Sequence, residues 1–305
     1  MEEFPYHIPA LLPETLKLLE IRPDGIYVDA TFGGGGHSRA ILDALSQKGR
    51  ILSFDRDMDA FQNRIDDPRF TFVHSNFKYL ENFLRFHKID KVDGILADLG
   101  VSFHHFDDPE RGFSFRTDAP LDMRMNRYAE RSAAAIIAEI SEPELKAALS
   151  TYADLKRPGN VAKAIIKARE GKPIETTFQL ADAVRPALDP RQEKKELAQV
   201  FQTLRIITND EMGALRQFLL STLKVLRPGG RLAVLTYHSV EDRIVKNFMK
   251  TGNVEGVEVK DFFGKVSTPW QLITRRPIEP SQEEIERNPR SRSAKLRVAQ
   301  LLPNN

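Results

Sequence analysis

The 305-residue chain has no cysteine, a single tryptophan and no surplus of either charge. Without cysteine there is neither a disulfide framework nor a thiolate metal site, which agrees with a reducing, cytoplasmic setting. No apolar run approaches the roughly 18 residues that a membrane helix needs. The opening Met-Glu-Glu-Phe-Pro is acidic where a secretory signal would be basic, so neither export nor membrane insertion is expected. With 45 basic against 43 acidic residues the net charge is only +2, and contacts with nucleic acid must come from local clusters of charge. No metal centre is expected, and no repeat or low-complexity tract interrupts the chain. A content of 41% hydrophobic and 29% charged residues is that of an ordinary globular protein long enough for about two domains.

The most informative stretch is Tyr27-Val-Asp-Ala-Thr-Phe-Gly-Gly-Gly-Gly-His-Ser38. Alternation of Ile26, Val28 and Ala30 with polar neighbours reads as a strand. Gly33 to Gly36 then permit positive φ and leave the backbone bare. A helix starting near His37 would point free N–H groups and its positive dipole end at a ligand. The loop lacks the third glycine of a dinucleotide fingerprint in either frame and the Gly-Lys-Ser/Thr ending of a phosphate loop. A small carboxylate therefore suits it better than a polyphosphate. The next strand, residues 50–54, ends in Asp55, whose two oxygens suit a ribose diol. Ribose plus carboxylate suggests S-adenosylmethionine, although a glycine run can also be a plain turn and Asp55 a solvated strand end.

Residues 70–74 read as a third strand, 79–87 as a helix, and the apolar run 92–98 as a fourth strand. This is the pattern of a parallel, doubly wound α/β sheet, whose ligands sit beyond the carboxyl ends of the strands, where Asp29, Asp55, Phe77 and Asp98 fall. Phe77 suits an adenine face or the filling of a gap under a loop. Asp98, at the end of a buried strand, needs a partner, which a sulfonium donor or an amine would supply.

Sheet character then stops for about a hundred residues. Helical patterns at 133–140, 142–152, 161–168 and 178–184, with prolines at 143, 158, 173 and 186, indicate an inserted all-helical domain. The expected division is a catalytic part over residues 1–104, the insertion over 105–209, and a second catalytic part over 210–305. That second part opens with an amphipathic helix at 210–226, a turn at 227–230 and a strand at 231–237. A helix at 241–250 and strands near 257–262, 271–274 and 295–300 complete it, with antiparallel additions expected at one sheet edge. Ser239 and Asp242 suggest a helix cap. Residues 287–297 carry five positive and no negative charges, a form suited to phosphates or to a solvated loop.

Several blocks carry a family resemblance: His7-Ile-Pro-Ala-Leu-Leu12, Tyr27 to Ser38, Asp93-Gly-Ile-Leu-Ala-Asp-Leu-Gly-Val-Ser102, Arg111-Gly-Phe-Ser-Phe115, Pro120-Leu-Asp-Met-Arg-Met125, His238-Ser-Val-Glu-Asp-Arg243 and Asn288-Pro-Arg-Ser-Arg-Ser-Ala-Lys-Leu-Arg297. Together they closely resemble the bacterial ribosomal RNA small-subunit methyltransferase H family, also called MraW, over nearly the whole chain. The resemblance implies a Rossmann-like class I methyltransferase sheet with an inserted helical domain. It also implies methyl transfer from S-adenosylmethionine to N4 of a cytidine in the decoding region of 16S ribosomal RNA, within the small subunit. On that resemblance Gly35, Gly36 and His37 contact the donor's amino-acid end, Asp55 its ribose, and Phe77 its adenine surroundings. Asp98 completes the pocket and is the first candidate for the catalytic acceptor. Where the family continues Ser-Ser-Pro-Gln, this chain has Ser102-Phe-His-His105, putting His105 at the glutamine's place. The family's His-Pro-Ala-x-Arg before Phe201 is also missing.

The alternatives to Asp98 as proton acceptor are Asp118 and Asp122, or His238 and Glu241 after the later strand. For RNA contacts the first candidates are Arg111, Arg116, Arg124, Arg290, Arg292 and Lys295, with surface ion pairing as the alternative. A rival reading, a small-molecule methyltransferase, would share Gly35, Asp55 and Asp98 without needing the basic tail.

Overall fold

The structure is a computed structural model and describes residues 9–100, 108–260, 262, 264 and 267–303, so that His105 lies outside the described residues. The chain separates into two compact units, residues 1–100 with 213–305, and residues 101–212. In chain order its helices are α1 Leu12–Leu19, α2 Gly36–Asp43, α3 Leu80–Phe86, α4 Ala133–Glu139, α5 Glu142–Tyr152, α6 Pro158–Gly171, α7 Thr177–Val184, α8 Glu193–Asn209, α9 Glu211–Val225, α10 Ser239–Thr251 and α11 Gln282–Arg287. Its strands are β1 Ile26–Asp29, β2 Arg50–Asp55, β3 Phe70–His74, β4 Val92–Asp98, β5 Leu226–Thr236, β6 Trp270–Leu272 and β7 Lys295–Leu301.

In the first unit the strands form one seven-stranded sheet in the order β3-β2-β1-β4-β5-β7-β6. The first five run parallel, while β7 pairs antiparallel with both β5 and β6. Strand order reverses direction at β1, which lies between β2 and β4, so the crevice beyond the ends of β1 and β4 is the sheet's switch point. Both faces are covered. In β4 Val92, Ile95, Leu96 and Ala97 are all fully buried, and in β1 Tyr27, Val28 and Asp29 are too. The alternation read in β1 therefore separates two buried faces and not core from solvent, as in other parallel sheets. Gly94 is required beside it, because a Cβ there would stand 2.7 Å from the Tyr27 ring on the adjacent strand.

Two expectations for this unit are corrected. Residues 227–230 are not a separate turn before the strand: β5 already pairs at Leu226 with Val92, then shifts register so that Arg231 faces Gly94. The four residues 227–230 of β5 stand opposite the single residue Asp93 of β4, an irregularity at which Gly229 takes φ +81°. The strand expected near 257–262 does not form over 257–259, where Val257 and Val259 are exposed and have no sheet face to bury against; Lys260 makes only a single bridge, and residue 261 lies outside the described residues.

The second unit packs around Leu121, Met123, Ile137, Leu145, Leu149, Val161, Ile165, Leu180, Val200 and Leu204. Pro143 and Pro158 sit in first turns, where a missing N–H costs nothing, so they start helices and do not break them. Ser141 with Glu144, and Thr176 with Gln179, form complete capping boxes on α5 and α7. The longest helix, α8, has its buried residues Leu197, Val200, Phe201 and Leu204 at the spacing of one helical face.

Candidate active site

Three carboxylates converge beyond the strand ends at the switch point. Asp29 closes β1 and is fully buried; its oxygens accept the Thr31 N–H at 3.1 Å and the Ser38 hydroxyl at 2.6 Å. Ser38 in turn meets the Ser53 hydroxyl of β2 at 2.8 Å. Burial, with smaller contributions from the charges of Asp98 and Asp55, pushes the Asp29 carboxyl up to about 7, against the opposing hydrogen bonds of Ser38 and Thr31. Asp29 thus ties the strand to the first turn of α2, on the far side of the glycine loop.

The loop itself is held by the next carboxylate. Asp55, ending β2, accepts the Gly33 N–H at 2.8 Å and the Asp57 N–H at 2.9 Å. Asn63 donates to the Gly33 carbonyl at 3.0 Å. Gly35 has φ +77° and precedes α2, whose first turn receives no side-chain cap and carries no acidic residue. A Cβ placed on Gly33 would meet nothing within 4 Å, so the loop backbone opens onto unfilled space at that point. An open glycine backbone, an uncapped helix start and a strand-end carboxylate beside it suit a ligand with a carboxylate and a ribose.

Asp98 ends β4. Its backbone N–H donates to Thr31 Oγ1 at 2.6 Å, and its carboxylate accepts the Gly100 N–H at 3.2 Å. His37 Nδ1, on a buried ring, lies 3.8 Å from Asp98 Oδ2. Tyr237, just past β5, sets its phenol beside the Asp98 carboxylate, the two side chains flanking Gly100; burial first, then the charge and polar contact of Asp98, hold the phenol well above its ordinary range. Sequence reading did not single out Thr31 or Tyr237. The signal for Tyr237 was strand adjacency, since β5 pairs with β4 as far as Asp98 opposite Leu235.

The other acceptor candidates are engaged in local structure. His238, not Ser239, caps α10: its Nδ1 accepts the Glu241 N–H at 3.4 Å and its Nε2 lies 2.9 Å from Glu241 Oε1. Glu241 is buried and its other oxygen accepts the Tyr237 N–H at 3.0 Å. The Ser239 and Asp242 cap is thereby corrected, and Asp242 pairs instead with Arg297. In the second unit Asp118 accepts the Phe178 N–H at 3.2 Å, and Asp122 holds Arg124 through two oxygens at 2.7 and 2.8 Å. That grip keeps the Asp122 carboxyl below its ordinary range in spite of partial burial. Phe77 is half-buried at the start of a short 3-10 turn, its ring edge-on to Phe218 at 5.1 Å.

The arginines divide into two groups. Arg111 is 3% exposed and donates to the carbonyls of Arg124 and Met125, at 2.9 and 3.1 Å, so its guanidinium holds a loop and is not presented to a phosphate. Arg124 is bound by Asp122 and by the Ala129 carbonyl at 2.7 Å. Arg116, Arg290 and Arg292 are exposed, while Lys295 lies 3.6 Å from Glu279 in a solvent-facing pair. Of the five charges in the basic segment, Arg297 is buried and serves the fold.

Among the described residues no helix is long and apolar enough to cross a membrane. A family model, the MraW methylase family, matches residues 5–302. The chain is 56% identical over 299 residues to the Ribosomal RNA small subunit methyltransferase H of Bacteroides fragilis, covering 98% of both chains. It is 57% identical over 296 residues to the protein of the same name from Parabacteroides distasonis, covering 97% of each, and 50% identical over 297 residues to that of Christiangramia forsetii, covering 97% of this chain and 98% of the relative. On a model match over nearly its full length and relatives this similar, the chain belongs to the MraW methylase family.

Proposed function

We propose that this protein transfers a methyl group from S-adenosylmethionine to N4 of a cytidine in the decoding region of 16S ribosomal RNA. The observation that carries the reading is Asp98: a strand-end residue at the switch point whose backbone N–H is held by Thr31 and whose carboxylate accepts the Gly100 N–H, with the Tyr237 phenol and a ring on the first turn of the helix after the glycine loop beside it. The names carried by its relatives supply the ribosomal RNA.

The donor, when bound, supplies an activated sulfonium methyl, so the protein's work is chiefly placement of the acceptor. In this reading Gly35, Gly36 and His37 hold the donor's amino-acid end, Asp55 its ribose hydroxyls, and Phe77 the surroundings of its adenine. Cytosine N4 is a weak nucleophile because its lone pair is shared with the ring. Asp98 accepts a hydrogen bond from an N4 proton, which localises that pair and compensates the charge growing on nitrogen. Tyr237 keeps the carboxylate aimed. The target cytidine must be unstacked and turned outward to reach a carboxylate in this crevice. Exposed Arg116, Arg290 and Arg292 supply phosphate contacts, which favours an RNA acceptor over a small molecule. The helical unit, residues 101–212, is assigned to substrate recognition.

The decisive experiment incubates the protein with labelled S-adenosylmethionine and small ribosomal subunits lacking the modification, then identifies the labelled nucleoside. Label in N4-methylated cytidine is expected. Label elsewhere, or none while the donor binds, overturns the substrate assignment.

A further inference from the structure

We propose that Glu284 is a positioning residue for the donor loop, acting through Leu11, 273 residues away in sequence, and through Pro9 on Gly36. The inference rests on the donor site proposed above. Glu284 lies in α11, where the Ser281 hydroxyl caps its N–H at 3.2 Å, and its side chain turns inward to 8% exposure. There Oε1 accepts the Leu11 N–H at 2.8 Å in a buried hydrogen bond.

Leu11 needs such an anchor. It is the residue before α1, it has φ +51°, a left-handed conformation that is strained for a branched apolar residue, and no side chain of its own caps the helix start. A buried N–H without a partner would add a further cost. Two residues upstream, Pro9 covers the glycine loop: a Cβ on Gly36 would stand 2.5 Å from Pro9 Cγ. Gly36 is the first residue of α2 and precedes His37, whose ring lies 3.8 Å from Asp98. The Glu284 hydrogen bond therefore holds a short strap, Pro9 to Leu11, against the backbone that would receive the donor's amino-acid end. Pro9 supplies the contact and Glu284 supplies its position.

The test measures binding of S-adenosylhomocysteine by calorimetry to the whole protein, with thermal unfolding of each variant recorded beside it. Glu284→Ala should weaken binding about tenfold, the size of one net hydrogen bond. Glu284→Gln, which retains a carbonyl acceptor for Leu11, should bind within about twofold of the parent. Pro9→Gly removes the covering ring while leaving Glu284 in place, and should weaken binding by itself. The double variant should lose no more than the larger single loss, because both act through one contact. Lowered melting with unchanged affinity, additive losses, or Glu284→Gln as weak as Glu284→Ala would each overturn the proposal. If Glu284→Ala does not fold, unchanged affinity in Pro9→Gly alone overturns it. Failure of the parent protein to bind S-adenosylhomocysteine would instead remove the donor site itself.

Discussion

The Tyr237 phenol stands beside the Asp98 carboxylate, the two side chains flanking Gly100 where two adjacent parallel strands end at the switch point of the sheet. The phenol thus limits the orientations open to a half-buried carboxylate at the strand end. A Cβ on Gly100 would stand 2.9 Å from the Tyr237 ring, so the loop leaving β4 is shaped around that ring. Tyr237→Phe keeps the ring and removes the hydroxyl beside the carboxylate, and a hydrogen bond from it to a charged acceptor is worth roughly 1.5–3 kcal/mol. We expect kcat to fall about ten- to a hundredfold with donor affinity nearly unchanged, and Asp98→Ala to fall further. Single-turnover methylation of small subunits reads both. A Tyr237→Phe enzyme with parental kcat would mean that the pair is structural only.

Asp29 makes the fold sensitive to pH. Its carboxyl titrates at about 7 in the folded protein against 3.8 for the free side chain, so between these values the folded chain holds a proton that the unfolded chain has released. Its contribution is present in full below pH about 3.8 and is lost as pH rises to about 7. Asp29→Asn can still receive the Thr31 N–H and can donate to Ser38, and it does not ionise. Urea midpoints measured from pH 5 to 8 should decline more steeply for the parent than for Asp29→Asn. Parallel curves would show that Asp29 does not titrate in this range.

Much of this site was legible in the sequence, because its parts are local. The glycine run, Asp55 and Asp98 stand at strand ends that apolar periodicity reveals, and β3 and β4 fall where that periodicity puts them. What was not legible depends on contacts distant in sequence. Tyr237 meets Asp98 only once β5 lies beside β4, and Leu11 meets Glu284 only once α11 packs on the strap. The cap of α10 was misread because Ser239 has the expected side chain, whereas His238, one residue earlier, has the extended backbone that a cap requires. Arg111 and Arg297 look like any surface arginine in sequence, and their burial follows from the carbonyls of Arg124 and Met125 and from Asp242.

The arginines should separate in a salt titration. Arg290 and Arg292 are exposed residues on either side of the buried Ser291, which anchors the backbone between them. Replacing both by alanine should lower the slope of log affinity against log salt by about 0.7–0.9 for each phosphate that is no longer neutralised. Arg111→Ala should leave the slope unchanged and lower the melting temperature. An unchanged slope in the double tail variant would exclude these two side chains from the RNA interface.

Gly112 offers the sharpest test of the helical unit. Its φ is +70°, and a Cβ there would stand 2.2 Å from the Pro120 carbonyl oxygen and 2.9 Å from the Asp122 nitrogen, both backbone atoms that cannot swing aside. Arg111, the preceding residue, accepts the Met123 N–H on its own carbonyl at 3.0 Å and holds the Arg124 and Met125 carbonyls with its guanidinium. Displacing Gly112 therefore disturbs the loop that Asp122 and Arg124 stiffen. Gly112→Ala combines strain at positive φ with a backbone clash, and we expect a loss of about 2–4 kcal/mol. The loss should fall on the unit of residues 101–212, where amide hydrogen exchange would accelerate in α4 to α8, while protection in β1, β2 and β4 is retained. Parental exchange rates throughout would refute the close approach at Gly112.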